Sequence, residues 1–207
     1  MVKKWTKMPE LVVGFDTETT GLSVNYERAL SYGFCEYRFG TLVAGFQFFV
    51  LPDRPISEGA RRVHGLSLED LEAKRATEEV LSVEAGLVRA SSLLTDYHRR
   101  GAYVVGANVA RFDLEMLRRS YQAVLGRNLA DDGLVLEALR IIDVVEHDLA
   151  IEPERDLRPR RGLEQLCRHY RVSPGGHDAL NDAKASVEVL KEQVIFNNMG
   201  QMSLHLA

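Results

Sequence analysis

Hydrophobic residues along this chain come in short blocks, and the spacing inside each block predicts its structure. Residues 10–15 form an apolar, β-branched run that stops at acidic residues, the pattern of a buried strand, and Thr19-Thr20-Gly21 predicts the turn after it. Residues 32–39 and 45–51 are aromatic-rich strand candidates separated by Gly40 to Ala44, which predicts a hairpin closed off by Pro52 to Pro55. Ser67, with Asp70 shortly behind it, opens a helix over residues 67–74. Val80, Leu81, Leu87, Val88 and Leu94 recur at helical spacing and predict a longer helix over residues 80–99.

The second half alternates more regularly. Residues 102–106 predict a short buried strand, and Leu114, Leu117, Tyr121 and Val124 predict a helix over residues 113–125. Residues 141–145 fit a strand or a helical segment equally. The polar stretch 151–161, with Pro153, Pro159 and several arginines, predicts a loop. Helices are expected over residues 163–170 and 181–196, separated by Ser173-Pro174-Gly175-Gly176. Strands clustered early, then helices and strands in alternation, predict a mixed α/β domain over residues 1–198. Asn197-Asn198-Met199-Gly200 reads as a linker into a flexible tail, residues 199–207.

Composition narrows the class without naming a chemistry. The chain has 207 residues, 45% hydrophobic and 27% charged, enough for one domain with a real core. No apolar run has transmembrane length and MVKKWTKMPE lacks the apolar stretch of a secretory signal, so a cytoplasmic protein with no membrane partner is expected. Cys35 and Cys167 are too few for a disulfide framework and too far apart for a zinc site. A net charge of −4 argues against holding nucleic acid by bulk electrostatics. It leaves open an enzyme that grips a few nucleotides through metal ions, because such a site is acidic by itself.

The chemistry concentrates at Asp16-Thr17-Glu18. Residues i and i+2 of a strand share a face, so two carboxylates project together from the end of a buried strand. Held close, they raise each other's pKa, and a hard divalent cation such as Mg²⁺ or Mn²⁺ relieves the strain. The pair taken alone also fits a solvated strand end. Asp113 opens an apolar helix, where a carboxylate equally caps the backbone. His177 follows two glycines as a loop residue, and Asp182 fits the first turn of a helix by its dipole.

Taken in order, the segments FDTETTGL (15–22), NVARFDLEML (108–117) and HDALNDA (177–183) resemble the three motifs of the DEDDh exonuclease superfamily. Its members include the epsilon proofreading subunit of bacterial replicative DNA polymerase. The likeness extends through Val63-His64-Gly65-Leu66 and Leu163-Glu164-Gln165-Leu166-Cys167. The second motif departs from the family's His-Asn, two residues, Phe-Asp. Ala107 stands for the histidine, and either the loop is one residue longer or Val109 takes the asparagine's place.

The resemblance implies a ribonuclease-H-like mixed sheet flanked by helices and a 3′→5′ exonuclease, a phosphodiester hydrolase of DNA replication or repair. Asp16, Glu18, Asp113 and Asp182 would bind two divalent metal ions, Mg²⁺ or Mn²⁺, and His177 would be the general base on the attacking water. Thr17, Thr20, Leu22 and His64 would contact the terminal nucleotide of a single-stranded 3′ end. Arg155, Arg158, Arg160 and Arg161 either guide the strand or solvate a loop. In the tail, Gln201, Leu204 and Leu206 resemble the peptide by which bacterial replication proteins dock on the sliding clamp, which would raise the enzyme's concentration at a primer end. The chain ends where a polymerase-binding extension would begin, which favours a stand-alone or clamp-recruited enzyme over a polymerase subunit. Two alternatives stand beside this one: an RNA exonuclease with the same motifs, and a catalytically silent polymerase or clamp accessory protein.

Overall fold

Val12, Val13 and Phe15 are all buried, so the first strand must be covered on both faces, and the sheet is built around it. The computed structural model describes residues 3–153 and 162–204, with side chains through Met199. Strands β1 (Leu11–Thr19), β2 (Ala29–Arg38) and β3 (Thr41–Val50) form an antiparallel meander. β4 (Val80–Leu81) joins β3 in parallel, while β5 (Tyr103–Gly106) and β6 (Arg140–Asp143) extend the other edge, also in parallel. The result is one mixed six-stranded sheet of order β4-β3-β2-β1-β5-β6.

Helices cover both faces. α3 (Val83–Arg99) and α4 (Asp113–Leu125) set Leu87, Leu94, Leu114 and Leu117 against Val13, Phe15, Phe34 and Phe48. On the opposite face α5 (Val144–Ile151), α6 (Leu163–Tyr170) and α7 (Ala179–Leu204) pack Val145, Leu166, Val187 and Leu190 against Val12, Cys35 and Val105. Two short helices, α1 (Glu58–His64) and α2 (Leu68–Lys74), fill the crossover before β4. Ser67 and Asp70 form the expected reciprocal capping box at the start of α2.

Several boundaries differ from the sequence expectation, each for a local reason. β1 does not stop before the acidic residues. Its pairing with β2 continues through Asp16↔Gly33 and Glu18↔Ser31, so both carboxylates are carried by the strand itself. The hairpin turn is only Phe39-Gly40, both at positive φ (49° and 77°), and β3 therefore begins at Thr41. Val80 and Leu81, expected in a helix, form the edge strand, and Ser82 caps α3 by accepting the Ala85 N–H at 3.3 Å. Residues 141–145 are strand and then helix, with Asp143 capping α5 by accepting the Val145 N–H at 3.0 Å. α1 was not anticipated; Ser57 caps it.

The last helix is the largest correction. α7 runs through Asn197-Asn198-Met199-Gly200, which is therefore helix and not a linker. The Asn197 and Asn198 side-chain amides donate to the Trp5 and Thr6 carbonyls at 3.1 and 2.9 Å, tying this turn to the N-terminal segment. The backbone of Gln201 to Leu204 continues the helix, whereas Leu206 lies outside the described residues, as do Arg155, Arg158, Arg160 and Arg161.

α7 lies unusually close to the sheet because Gly33 on β2 leaves room for it. A Cβ at Gly33 would stand 2.2 Å from the Ala179 carbonyl carbon and 2.4 Å from the Leu180 nitrogen, both main-chain atoms unable to move aside. Gly33 pairs with Asp16, so this contact sets the height of the helix start above the acidic strand end. Gly33→Ala is expected to lower unfolding free energy by about 1–3 kcal/mol, the usual penalty for overpacking, read from urea denaturation. Unchanged stability would mean that the helix shifts without consequence.

Candidate active site

Three elements deliver carboxylates to one open cleft of about 1050 Å³. β1 brings Asp16 and Glu18 on the face covered by α7. The first turn of α7 brings Asp182, and one carboxylate oxygen from each of the three lies within 4.8 Å of the others. Asp113 arrives from the opposite face as the first residue of α4. Its Oδ1 accepts the Thr17 hydroxyl at 2.6 Å, so the residue between the two strand carboxylates fixes the fourth one. Phe112, at the cap position before α4, gives no side-chain cap, and Asp113 itself lines the cleft.

Burial and mutual repulsion dominate the electrostatics. Burial pushes the Asp16 carboxyl well above the usual carboxylate range, and Asp113, Asp182, Glu18 and Asp178 add to it. Burial, then Asp182 and Asp113, raise Glu18 to about 8. Asp113 is raised to about 7, chiefly by burial, against the opposing bond from Thr17. Asp182 is also raised by burial, while His177 and the backbone N–H groups of His177 and Gly175 pull the other way. Four carboxyls that resist ionisation together are a donor set for hard divalent cations.

The other expected residues divide. His177, exposed and at φ 59°, lines the cleft just before α7. Leu22 lines it too and is 84% exposed. Thr17 lines it, but its hydroxyl is committed to Asp113. Thr20 does not reach the cleft. It is fully buried, donating to Glu27 Oε2 at 2.6 Å and accepting the Arg28 N–H at 3.0 Å, so it braces the loop after β1. His64 spends both ring nitrogens on the fold. Nδ1 accepts the Leu66 N–H at 3.0 Å and Nε2 donates to the Thr19 carbonyl at 3.1 Å, which puts the proton on Nε2. Burial lowers its pKa, the Thr19 carbonyl opposing, with a further push from nearby His177.

The second motif resolves as a longer loop. Val109 is fully buried in the core and cannot face a ligand, while Asn108, at φ 58°, lines the cleft. Two contributors went unassigned from sequence. Asp178 caps the first turn of α7, accepting the Asn181 N–H at 3.0 Å and the Gln47 amide at 3.0 Å, and its charge reaches Asp16, Glu18 and Asp182. An Asp directly before an apolar helix was the signal available for it. Gly175 presses against Asp182, where a Cβ would stand 2.2 Å from Oδ1. No sequence pattern marks such an approach.

A mixed sheet with helices on both faces thus brings carboxylates from β1, α4 and α7 to one cleft beside an imidazole, a donor set that suits a divalent cation. The Exonuclease family model, RNase_T, matches residues 13–190, and the chain belongs to this family of DEDDh-type 3′→5′ nucleases. Among curated relatives, the PolC-type DNA polymerase III of Thermotoga maritima is 30% identical over 181 residues, 86% of this chain and 11% of that one. The PolC-type enzyme of Latilactobacillus sakei is 27% identical over 173 residues, 83% of this chain and 10% of that one. The chain thus spans about a tenth of the length of these relatives. Escherichia coli exonuclease I, solved with a dT13 oligonucleotide, superposes with a TM-score of 0.72 at 18% identity over 95% of this chain and 43% of that one. That likeness establishes the ribonuclease-H-like fold.

The raised carboxyls set a pH dependence. In the folded protein they keep protons that the unfolded chain has lost above about pH 4, so stability falls as pH rises from there through about 8. In EDTA, the unfolding free energy is expected to drop by more than about 2 kcal/mol between about pH 5 and pH 8.5. Mg²⁺ or Mn²⁺ should restore it, most strongly at the alkaline end. Asp16→Asn should flatten the EDTA curve and reduce the gain from metal, both read by thermal melts. A flat wild-type curve in EDTA would show that the carboxyls ionise freely.

Proposed function

We propose that this chain is a metal-dependent 3′→5′ exonuclease that removes nucleoside monophosphates one at a time from the 3′ end of single-stranded DNA. The observation that carries this reading is the convergence of Asp16, Glu18 and Asp182 within 4.8 Å of one another, with Asp113 and His177 on the same cleft. Asp16, Glu18, Asp113 and Asp182 would hold two divalent ions, Mg²⁺ or Mn²⁺. When bound, such ions supply positive charge to the phosphate under attack and ease deprotonation of water.

The chain's own residues supply the rest. His177, open to solvent on the cleft, takes the proton of the attacking water. Thr17 keeps Asp113 aimed inward, and exposed Leu22 offers an apolar surface to the terminal base. DNA as the substrate is supported by the relatives, which are DNA polymerases, and by exonuclease I with its bound dT13. Proofreading beside a polymerase is a further part of the proposal, supported only by the likeness to DNA polymerase III chains. Recruitment to a sliding clamp through Gln201, Leu204 and Leu206 is a separate part of the proposal, supported by the likeness of that short segment alone.

The test is a gel assay on 5′-labelled single-stranded DNA with Mg²⁺, Mn²⁺ or EDTA. A metal-dependent ladder shortening from the 3′ end is expected, with Asp16→Ala slower by about 10²-fold or more, the scale of losing one element of transition-state charge stabilisation. His177→Ala should be slowed by about 10²–10⁴-fold. Folded protein that leaves DNA intact with either metal but shortens RNA would replace the DNA reading with an RNA one. Inertness toward both would sink the catalytic reading.

A further inference from the structure

The carboxylates account for one point on a bound strand, the phosphate undergoing hydrolysis, and leave its other phosphates without a cationic partner. Among the described residues that line the cleft, Arg111 is the one Lys or Arg side chain. It stands just ahead of Asp113, on the loop between β5 and α4 that is longer than the family pattern.

That loop is firmly built. Val109 anchors it in the core, and the Asn108 backbone N–H bonds to the Asp143 carboxylate. The N–H groups of Arg111 and Phe112 both return to the Asn108 carbonyl, at 3.1 and 2.9 Å. Asp143 also caps α5, and from the first turn of that helix Glu146 accepts a bond from Arg111 at 3.0 Å. One acidic helix start therefore braces the loop and orients its cation. The Arg111–Glu146 pair is exposed, at 81% and 40%, so it contributes little to stability. A surface ion pair of that kind exchanges readily for a stronger anion, and the guanidinium fork matches phosphate in two parallel bonds.

We propose that Arg111 grips a backbone phosphate of the bound strand away from the scissile one, with Glu146 holding the side chain in position until that phosphate displaces it. The proposal rests on the nuclease reading above.

The experiment is steady-state hydrolysis of a 5′-labelled single-stranded oligonucleotide by the full chain, with Mg²⁺ or Mn²⁺, across a series of salt concentrations. Arg111→Ala is expected to raise KM about tenfold or more, the effect of losing a charged hydrogen bond, with kcat within about threefold of wild type. Its plot of log(kcat/KM) against log[salt] should be shallower by about 0.7, the increment for one phosphate contact on a single strand. Arg111→Lys keeps the charge and should recover the slope. Arg118→Ala, which removes a surface partner of Glu115 on α4, serves as the control and should match wild type. An Arg111→Ala enzyme with wild-type KM and salt slope overturns the proposal and leaves Arg111 as a solvated partner of Glu146. A fall in kcat at unchanged KM overturns it as well, since Arg111 would then act on the transition state. A wild-type chain inert toward the oligonucleotide with both metals overturns the nuclease reading instead.

Discussion

Carboxylates brought together out of water repel one another and resist ionisation, and much of this molecule serves to hold four of them in place. Burial and mutual charge raise Asp16, Glu18, Asp113 and Asp182 alike. The opposing force is packing: two hydrophobic cores, one on each face of the sheet, press α4 and α7 onto the same strand end. Because the helices come from opposite faces, the site is clamped across the sheet. Stability given up at the cleft is offset by burial elsewhere.

Local devices then aim each group. Thr17 points to the face opposite Asp16 and Glu18, which lets its hydroxyl hold Asp113 while its neighbours face α7. Asp178 caps α7 and adds its own negative charge to the cluster. Gly33 and Gly175 contribute by lacking a side chain, one admitting α7 to the sheet and the other admitting the Asp182 carboxylate to the backbone. The Asn108–Phe112 loop is tied to α5 through Asp143.

The acidic cluster at the cleft was legible because it depends on residue type in a fixed order. An alternating D-x-E on an apolar strand, a Phe-Asp opening an amphipathic helix, and a His and Asp around a helix start have few other joint explanations. Nucleotide contacts were less legible. Thr20 sits in the same motif as Asp16, yet its hydroxyl is enclosed by Glu27 and Arg28, and His64 is spent on Thr19 and Leu66. A motif preserves such a residue equally well for bracing the site as for touching a ligand.

By itself, the sequence determined the alternation of strand and helix, the α/β class and the acidic chemistry, because hydrophobic period and side-chain type act locally. It misjudged where elements stop. β1 extends through its carboxylates because β2 continues to pair with it, Val80-Leu81 is a strand because β3 offers an edge, and α7 runs past Asn197-Asn198 because Trp5 and Thr6 bind those amides. Only the tertiary structure decided these, and only it decided which polar groups meet at the cleft. Strand pairing, close backbone approach and hydrogen bonds between residues such as Thr17 and Asp113 join positions far apart in the chain, and no local pattern encodes the distance between them.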